Sequence, residues 1–307
     1  MFRKCLKYDL KALRKIWLIA AAIMLVISLL GGLGSFLYIN GIINMTAMES
    51  TTADALTAMQ VLTILTMIMG MITLIVAIYA IAIFASGTSI MLFIRYYTHF
   101  FTDQGYLTFT LPVSRKTHFW SKTVSGMIYL LASSLVSSFA VLCIVCGCAI
   151  PLLANPDISG ELGFSDLFGE MGGIGVGGVL YLIIAVLLFL LVIVSIQFVS
   201  LMTQYLLITL AATLFRNHKL LSVIVTYFGF GALMAACYFV GYFFIVIYFM
   251  LLVMFLVFGM MELVAIPILC WLAIYALLLI AGAALVTVGL TFANLTVNRL
   301  ERKLNLS

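Results

Sequence analysis

Six stretches of this chain run for more than twenty residues with almost no charge, and they decide which solvent the fold lives in. Crossing about 30 Å of hydrocarbon at about 1.5 Å per residue takes roughly 20 apolar residues in a helix. The runs at 17–43, 61–94, 123–153, 179–214, 220–257 and 265–296 all exceed that length. With 66% hydrophobic and 8% charged residues, against roughly 45–50% and about 25% in a soluble domain, no water-facing fold could hide so much apolar surface. The sequence therefore predicts an all-α, polytopic membrane protein, with residues 1–307 forming a single transmembrane domain.

Charge placement predicts the topology. The 15 Lys and Arg residues fall in four segments: Arg3 to Lys15, Arg95 to Lys122, Arg216 with Lys219, and Arg299 to Lys303. If the run from Leu220 crosses once, at 220–242, all of them share one side. Glu49, Asp54, Asp157, Glu161, Asp166, Glu170 and Glu262 then occupy the other, with no cation among them. The positive-inside rule makes the basic side cytoplasmic, so both termini are expected inside. Two crossings between 220 and 257 would carry Arg299, Arg302 and Lys303 outside. The pattern therefore favours six transmembrane helices, at 17–43, 61–94, 123–153, 179–214, 220–242 and 265–296. A re-entrant or interfacial segment at 243–264 precedes the last of them, its irregular backbone tolerable where protein buries it.

The first 16 residues have their own pattern. Phe2, Leu6, Leu10, Leu13 and Trp17 recur at three- to four-residue spacing with Lys and Arg between them, the signature of an interfacial amphipathic helix. An elbow helix at 1–16, lying on membrane lipid of the inner leaflet, and a simple positive-inside anchor both fit. The segment resembles the start of a secretory signal, but the apolar run behind it is too long and lacks a clear cleavage site.

Motifs for catalysis are missing. No phosphate-loop, HExxH, GxSxG or GxGxxG pattern occurs, and His99, His118 and His218 all fall in cytoplasmic segments. The span interiors lack the acids and histidines that intramembrane enzymes and ion-coupled carriers use. Any uphill transport would then draw its energy from another subunit. No catalytic residue, metal or cofactor is expected in the chain, nor any nucleic-acid partner. Cys143, Cys146 and Cys148 lie within an apolar run with no ligating His or carboxylate beside them, and read as packing residues. Gln197, Gln204, Asn294 and Asn298 are expected to hydrogen-bond between helices.

One cytoplasmic segment differs from the rest of the chain. Residues 96–122 are rich in polar and aromatic side chains. Asp103, Gln104 and Gly105 form a turn signal, Pro112 breaks regular structure, and Ser114 is placed to cap a short helix beginning near Arg115. Exposed Tyr106, Leu107, Phe109 and Leu111 suit either insertion into a partner's groove or a loop resting on lipid headgroups.

The stretch DQGYLTFTLPVS, at Asp103 to Ser114, resembles the loop of ABC-2-type permeases, the membrane-spanning subunits of certain ABC transporters of Gram-positive bacteria. Lys7 to Trp17 and Arg299 to Leu306 are similar to that family as well. The resemblance implies a coupling segment built on Asp103, Gly105, Tyr106, Leu107, Leu111, Pro112, Ser114 and Arg115, docked on a separately encoded cytoplasmic ATP-binding subunit that carries ATP and magnesium. It also implies a second permease chain, identical or paralogous, and residence in the bacterial plasma membrane. The expected function is export of a peptide, drug or lipid-like substrate by alternating access, with no enzymatic activity in this chain itself. A non-transporting sensor or scaffold subunit is the alternative.

Overall fold

The computed structural model describes residues 2–48, 57–102, 114–155, 176–214 and 265–303, together with 225–226, 228–229 and 231–232. Five long helices account for nearly all of them: α1 (Phe2–Met48), α2 (Thr57–Phe101), α3 (Arg115–Ala154), α4 (Val176–Leu214) and α5 (Ala265–Lys303). No strand occurs among the described residues. All five helices are long and apolar enough to cross a membrane. At 39 to 47 residues each, they measure roughly 60–70 Å, about twice the hydrocarbon thickness. Each therefore carries helical turns beyond its apolar window. Of the expected spans, 17–43, 61–94, 123–153, 179–214 and 265–296 lie within these helices. The span at 220–242 is described only at 225–226, 228–229 and 231–232, and 243–264 lies outside the described residues.

Two boundaries drawn from the sequence have no counterpart in the backbone. α1 passes residues 16 and 17 without a break, so the basic segment and the first apolar run form one helix. Ser114 does cap a helix. Its carbonyl accepts from the amides of Thr117 (3.0 Å) and His118 (3.2 Å), and its hydroxyl accepts from the Thr117 amide at 3.3 Å. That helix, however, is the 40-residue α3 rather than a short separate one.

The described residues fall into two compact units, through which α1, α2 and α3 pass continuously. One unit comprises residues 10–91 and 128–174. Its core is Ala21, Met24, Phe84 and Ala140, flanked by Trp17, Ala20, Ala80, Ile81 and Val136. Trp17 donates its indole N–H to Ser133 at 2.8 Å, and Ser133 shares a hydrogen bond with Thr88 at 3.0 Å. One polar chain thus joins three apolar helices.

Closer approach depends on glycine. A Cβ on Gly147 would collide with the Gly32 carbonyl and the Ser35 hydroxyl, and one on Gly70 would sit 2.6 Å from the Gly34 carbonyl. Ser35 exploits the contact by donating to the Ile144 carbonyl of α3 at 3.0 Å. Such contacts suit membrane helices, where association relies on packing and interhelical hydrogen bonds rather than on the hydrophobic effect.

The other unit comprises residues 1–9, 92–127 and 175–307. α4 and α5 pack along one another, with Gly282 facing Leu191 and Gly289 facing Phe198. Leu201, Met202, Tyr205 and Ile208 of α4 are buried.

Outward faces are apolar. Val61, Leu65, Ile72, Val76 and Ile83 of α2 are all exposed, which in water would form an aggregation-prone surface and in a bilayer is the expected lipid face. Several hydroxyls within the apolar runs satisfy themselves locally. Ser28, Thr66, Ser86, Ser195 and Thr203 each donate to a carbonyl three or four residues earlier, as a solvent without hydrogen-bonding capacity demands.

Gly147→Ala should overpack the α1–α3 contact and destabilise the protein by about 1–3 kcal/mol, read as a lower thermal midpoint in detergent. Gly87→Ala meets nothing within 4 Å and should be neutral or mildly stabilising.

Candidate functional site

Asp9 is the sole acidic residue between Met1 and Met48. At 100° per residue, the six cations Arg3, Lys4, Lys7, Lys11, Arg14 and Lys15 fall within an arc of about 120° on α1, with Asp9 opposite. All six are exposed and Asp9 is buried. The helix thus turns its one carboxylate toward the protein.

Two cations meet it there. Arg95, directly after the second apolar run, places Nη2 3.1 Å from Asp9 Oδ1. Lys122, directly before the third, places Nζ 3.2 Å from the same oxygen. Ser121 donates to Oδ2 at 3.1 Å. The side chains of Arg95, Asp9 and Lys122 retain only 16%, 12% and 7% of their exposure, so water screens these charges little. Three helices, α1, α2 and α3, are thereby joined through one carboxylate.

An aromatic floor supports the ions. Phe100, Phe119, Tyr96 and Tyr205 are essentially fully buried, and the Lys122 ammonium lies 5.7 Å from the Phe100 ring centroid, within cation–π range. Tyr96 and Tyr205 stack at 4.0 Å with 10° between their planes, and Phe119 meets Tyr205 edge-on at 6.2 Å. The Tyr96 hydroxyl pairs with that of Thr209 at 3.1 Å, which brings α4 into the cluster. Arg115 donates to the Leu300 carbonyl at 3.0 Å, in the last turn of α5, where carbonyls lack intrahelical partners and the helix dipole favours a cation.

Asp9, His99, His118 and Lys122 all lie outside the apolar windows at 17–43, 61–94 and 123–153. Burial works against ionisation of Asp9, but Lys122 and Arg95 outweigh it and hold the carboxyl below the ordinary carboxylate range. Burial pulls the Lys122 ammonium below its usual range against the attraction of Asp9. His99, one turn after Arg95, is pushed down to about 4 by burial and by the positive charges of Lys122 and Arg95. His118, one turn before Lys122, is lowered by burial and by Lys122.

The sequence pointed to other residues. Asp103, Gly105, Tyr106, Leu107, Leu111 and Pro112 lie outside the described residues. Ser114 is the α3 cap, and Arg115 reaches α5. Of the apolar series on α1, Phe2 is exposed, Leu6, Leu10 and Trp17 are half-buried, and Leu13 is buried. Trp17 and Leu13 thus pack against protein. Gln197 departs from its expected role: its buried carbonyl oxygen has no hydrogen-bond partner among the described residues. Cys143, Cys146 and Cys148 are free thiols. The Asp9 cluster went unread, although a signal for it exists. Asp9 sits on the same side of α1 as Phe2 and Leu13, and a carboxylate on an apolar face calls for a buried cation.

Asp9→Asn leaves two buried cations without a counter-charge and should cost about 3 kcal/mol or more, measured by tryptophan fluorescence during thermal unfolding. The depressed His99 and His118 set a sign for pH dependence. Between their folded and unfolded values the unfolded chain binds more protons, so the contribution of the two histidines should be flat above about pH 7 and stability should fall progressively from about 6.5 toward 4. His99→Gln should flatten part of that slope. A slope of unchanged steepness would remove His99 as its source.

No family model matches this chain, and neither does any curated protein or solved structure.

Proposed function

We propose that the chain is the permease subunit of an ATP-driven ABC exporter in the bacterial plasma membrane, moving a peptide, drug or lipid-like substrate by alternating access. In this reading both termini are cytoplasmic, six helices cross the bilayer, and a re-entrant segment at 243–264 precedes the last. Residues 1–16 form the basic cytoplasmic end of the first helix. A separate ATP-binding subunit supplies ATP and magnesium, and a second permease chain completes the pathway.

One observation supports the reading above others. The segment 103–113, whose sequence resembles a coupling loop, is bracketed by the last turns of α2 and the first turns of α3, and both brackets are tied through Asp9 to α1. A load applied to that segment by a closing ATPase would have a stiff path. It enters two helix ends and is shared with a third helix through buried ion pairs. An ordinary surface loop has no need of a buried three-helix clamp at its base. Buried ion pairs are weak contributors to net stability, which favours a positional role for this one.

Co-expression with any ATP-binding subunit found encoded beside the gene, followed by purification, tests the proposal. The expected result is a stable complex with ATP-dependent substrate movement in proteoliposomes. Tyr106→Ala and Leu111→Ala should weaken association at least tenfold, as aromatic and Leu anchors dominate groove contacts, while leaving the thermal midpoint of the isolated chain unchanged. Absence of any associating ATPase overturns the reading. A complex that forms but moves nothing on ATP hydrolysis replaces it with the sensor or scaffold role.

A further inference from the structure

The ionic balance of the Asp9 cluster is uneven. Arg95 and Lys122 set two cations against the single carboxylate of Asp9. Asp9 already accepts three donors: Oδ1 receives both Arg95 and Lys122, and Oδ2 receives Ser121. Donors outnumber acceptors. An Arg guanidinium has five N–H groups and a Lys ammonium three, while the bonds to Asp9 occupy one of each. Beside them, on the same face of α3 as Lys122, stands His118. It is buried, 6% exposed, and among the described residues its Nε2 has no hydrogen-bond partner. A buried nitrogen without a partner is destabilising.

Depth narrows the chemistry of what would satisfy these groups. Arg95 is the first residue after the apolar run 61–94 and Lys122 the last before 123–153, so both lie at the level where hydrocarbon gives way to headgroups. That is where phospholipid phosphates reside, and basic recesses between helices on the cytoplasmic side suit anionic headgroups. Arg95, the most exposed of the three ionic side chains at 16%, gives the cluster an edge, and its planar fork matches a phosphate.

We propose that Arg95, Lys122 and His118 form a binding site for a phosphate anion, supplied by the headgroup of an anionic phospholipid of the cytoplasmic leaflet. Arg95 grips two phosphate oxygens, Lys122 provides the second positive charge, and the His118 Nε2–H tautomer donates to a headgroup oxygen. Asp9 holds the two cations in place and, by its own charge, limits how tightly the anion binds. A zwitterionic headgroup fits less well, because its ammonium would lie against Arg95 and Lys122. The site uses only residues within one compact unit and rests on the proposed orientation, with the basic side cytoplasmic, but not on the exporter role.

The test uses the full chain purified in a neutral detergent, with the thermal midpoint followed as phosphatidylglycerol, phosphatidylcholine or inorganic phosphate is titrated. Phosphatidylglycerol should raise the midpoint saturably, and phosphatidylcholine should not. Arg95→Gln and Lys122→Gln should each weaken the apparent affinity at least tenfold. Asp9→Asn should tighten it several-fold while lowering the midpoint of the lipid-free protein, an opposition that a purely structural ion pair would not produce. Combined substitution of Arg3, Lys4 and Lys7 by Gln should leave the affinity unchanged. Should the Arg95 and Lys122 variants not fold, His118→Phe reads the same site, with weaker binding expected and unchanged binding overturning the assignment. Loss of the effect in the surface triple variant alone would assign it to general attraction by exposed cations. An equal response to inorganic phosphate at matched concentration would overturn the lipid source.

Discussion

The carboxylate of Asp9 is the point on which one of the two compact units turns. A charge taken from water into a poorly screened site is costly, and Arg95 and Lys122 offset that cost only while all three side chains keep their geometry. That requirement fixes the rotation of the first turns of α1, since Asp9 can face α2 and α3 only if the six basic residues face away. It also fixes which turns of α2 and α3 meet, because Arg95 and Lys122 must reach the same oxygen. Stacked Tyr96 and Tyr205 then fill the space beneath the ions and bring in α4 through Thr209. Ion pairing sets the register, and aromatic packing makes it dry.

Elsewhere the helices are held by different means, for a reason rooted in the solvent. Lipid chains are as apolar as Leu or Ile, so side chains facing them gain nothing by turning inward. What remains is close backbone approach and hydrogen bonding. Gly32, Gly34, Gly70 and Gly147 permit the first. Ser35, Ser133, Thr88 and Trp17 supply the second. The charged cluster and the glycine contacts are thus two answers to one problem, suited to headgroup depth and to hydrocarbon depth respectively.

Continuity of the helices links these features to the proposed transport role. α1, α2 and α3 each run unbroken from the turns that carry Asp9, Arg95 and Lys122 into the apolar windows. The separate interfacial elbow drawn from the spacing of Phe2, Leu6, Leu10, Leu13 and Trp17 reads differently in this light. Leu13 is buried and Trp17 bonds to Ser133, so the apolar face of that segment is at least partly occupied by protein rather than lipid.

Much was legible from the chain alone. Helical structure, the membrane as solvent and five of the expected spans follow from runs of apolar residues, and the helix start at Ser114 follows from capping chemistry. These are local properties, set by residues within a few turns of one another. The pairing of Asp9 with Arg95 and Lys122 is not local: the partners are 86 and 113 positions apart, and no periodicity in a single helix states which cation a carboxylate will find. The sequence by itself determined that Asp9 breaks the apolar face of α1 and needs a counter-charge. Only the tertiary structure decided that Arg95 and Lys122 supply it and that His118 Nε2 lies beside them without a hydrogen-bond partner among the described residues, because a buried charge is resolved by whichever helices meet in space.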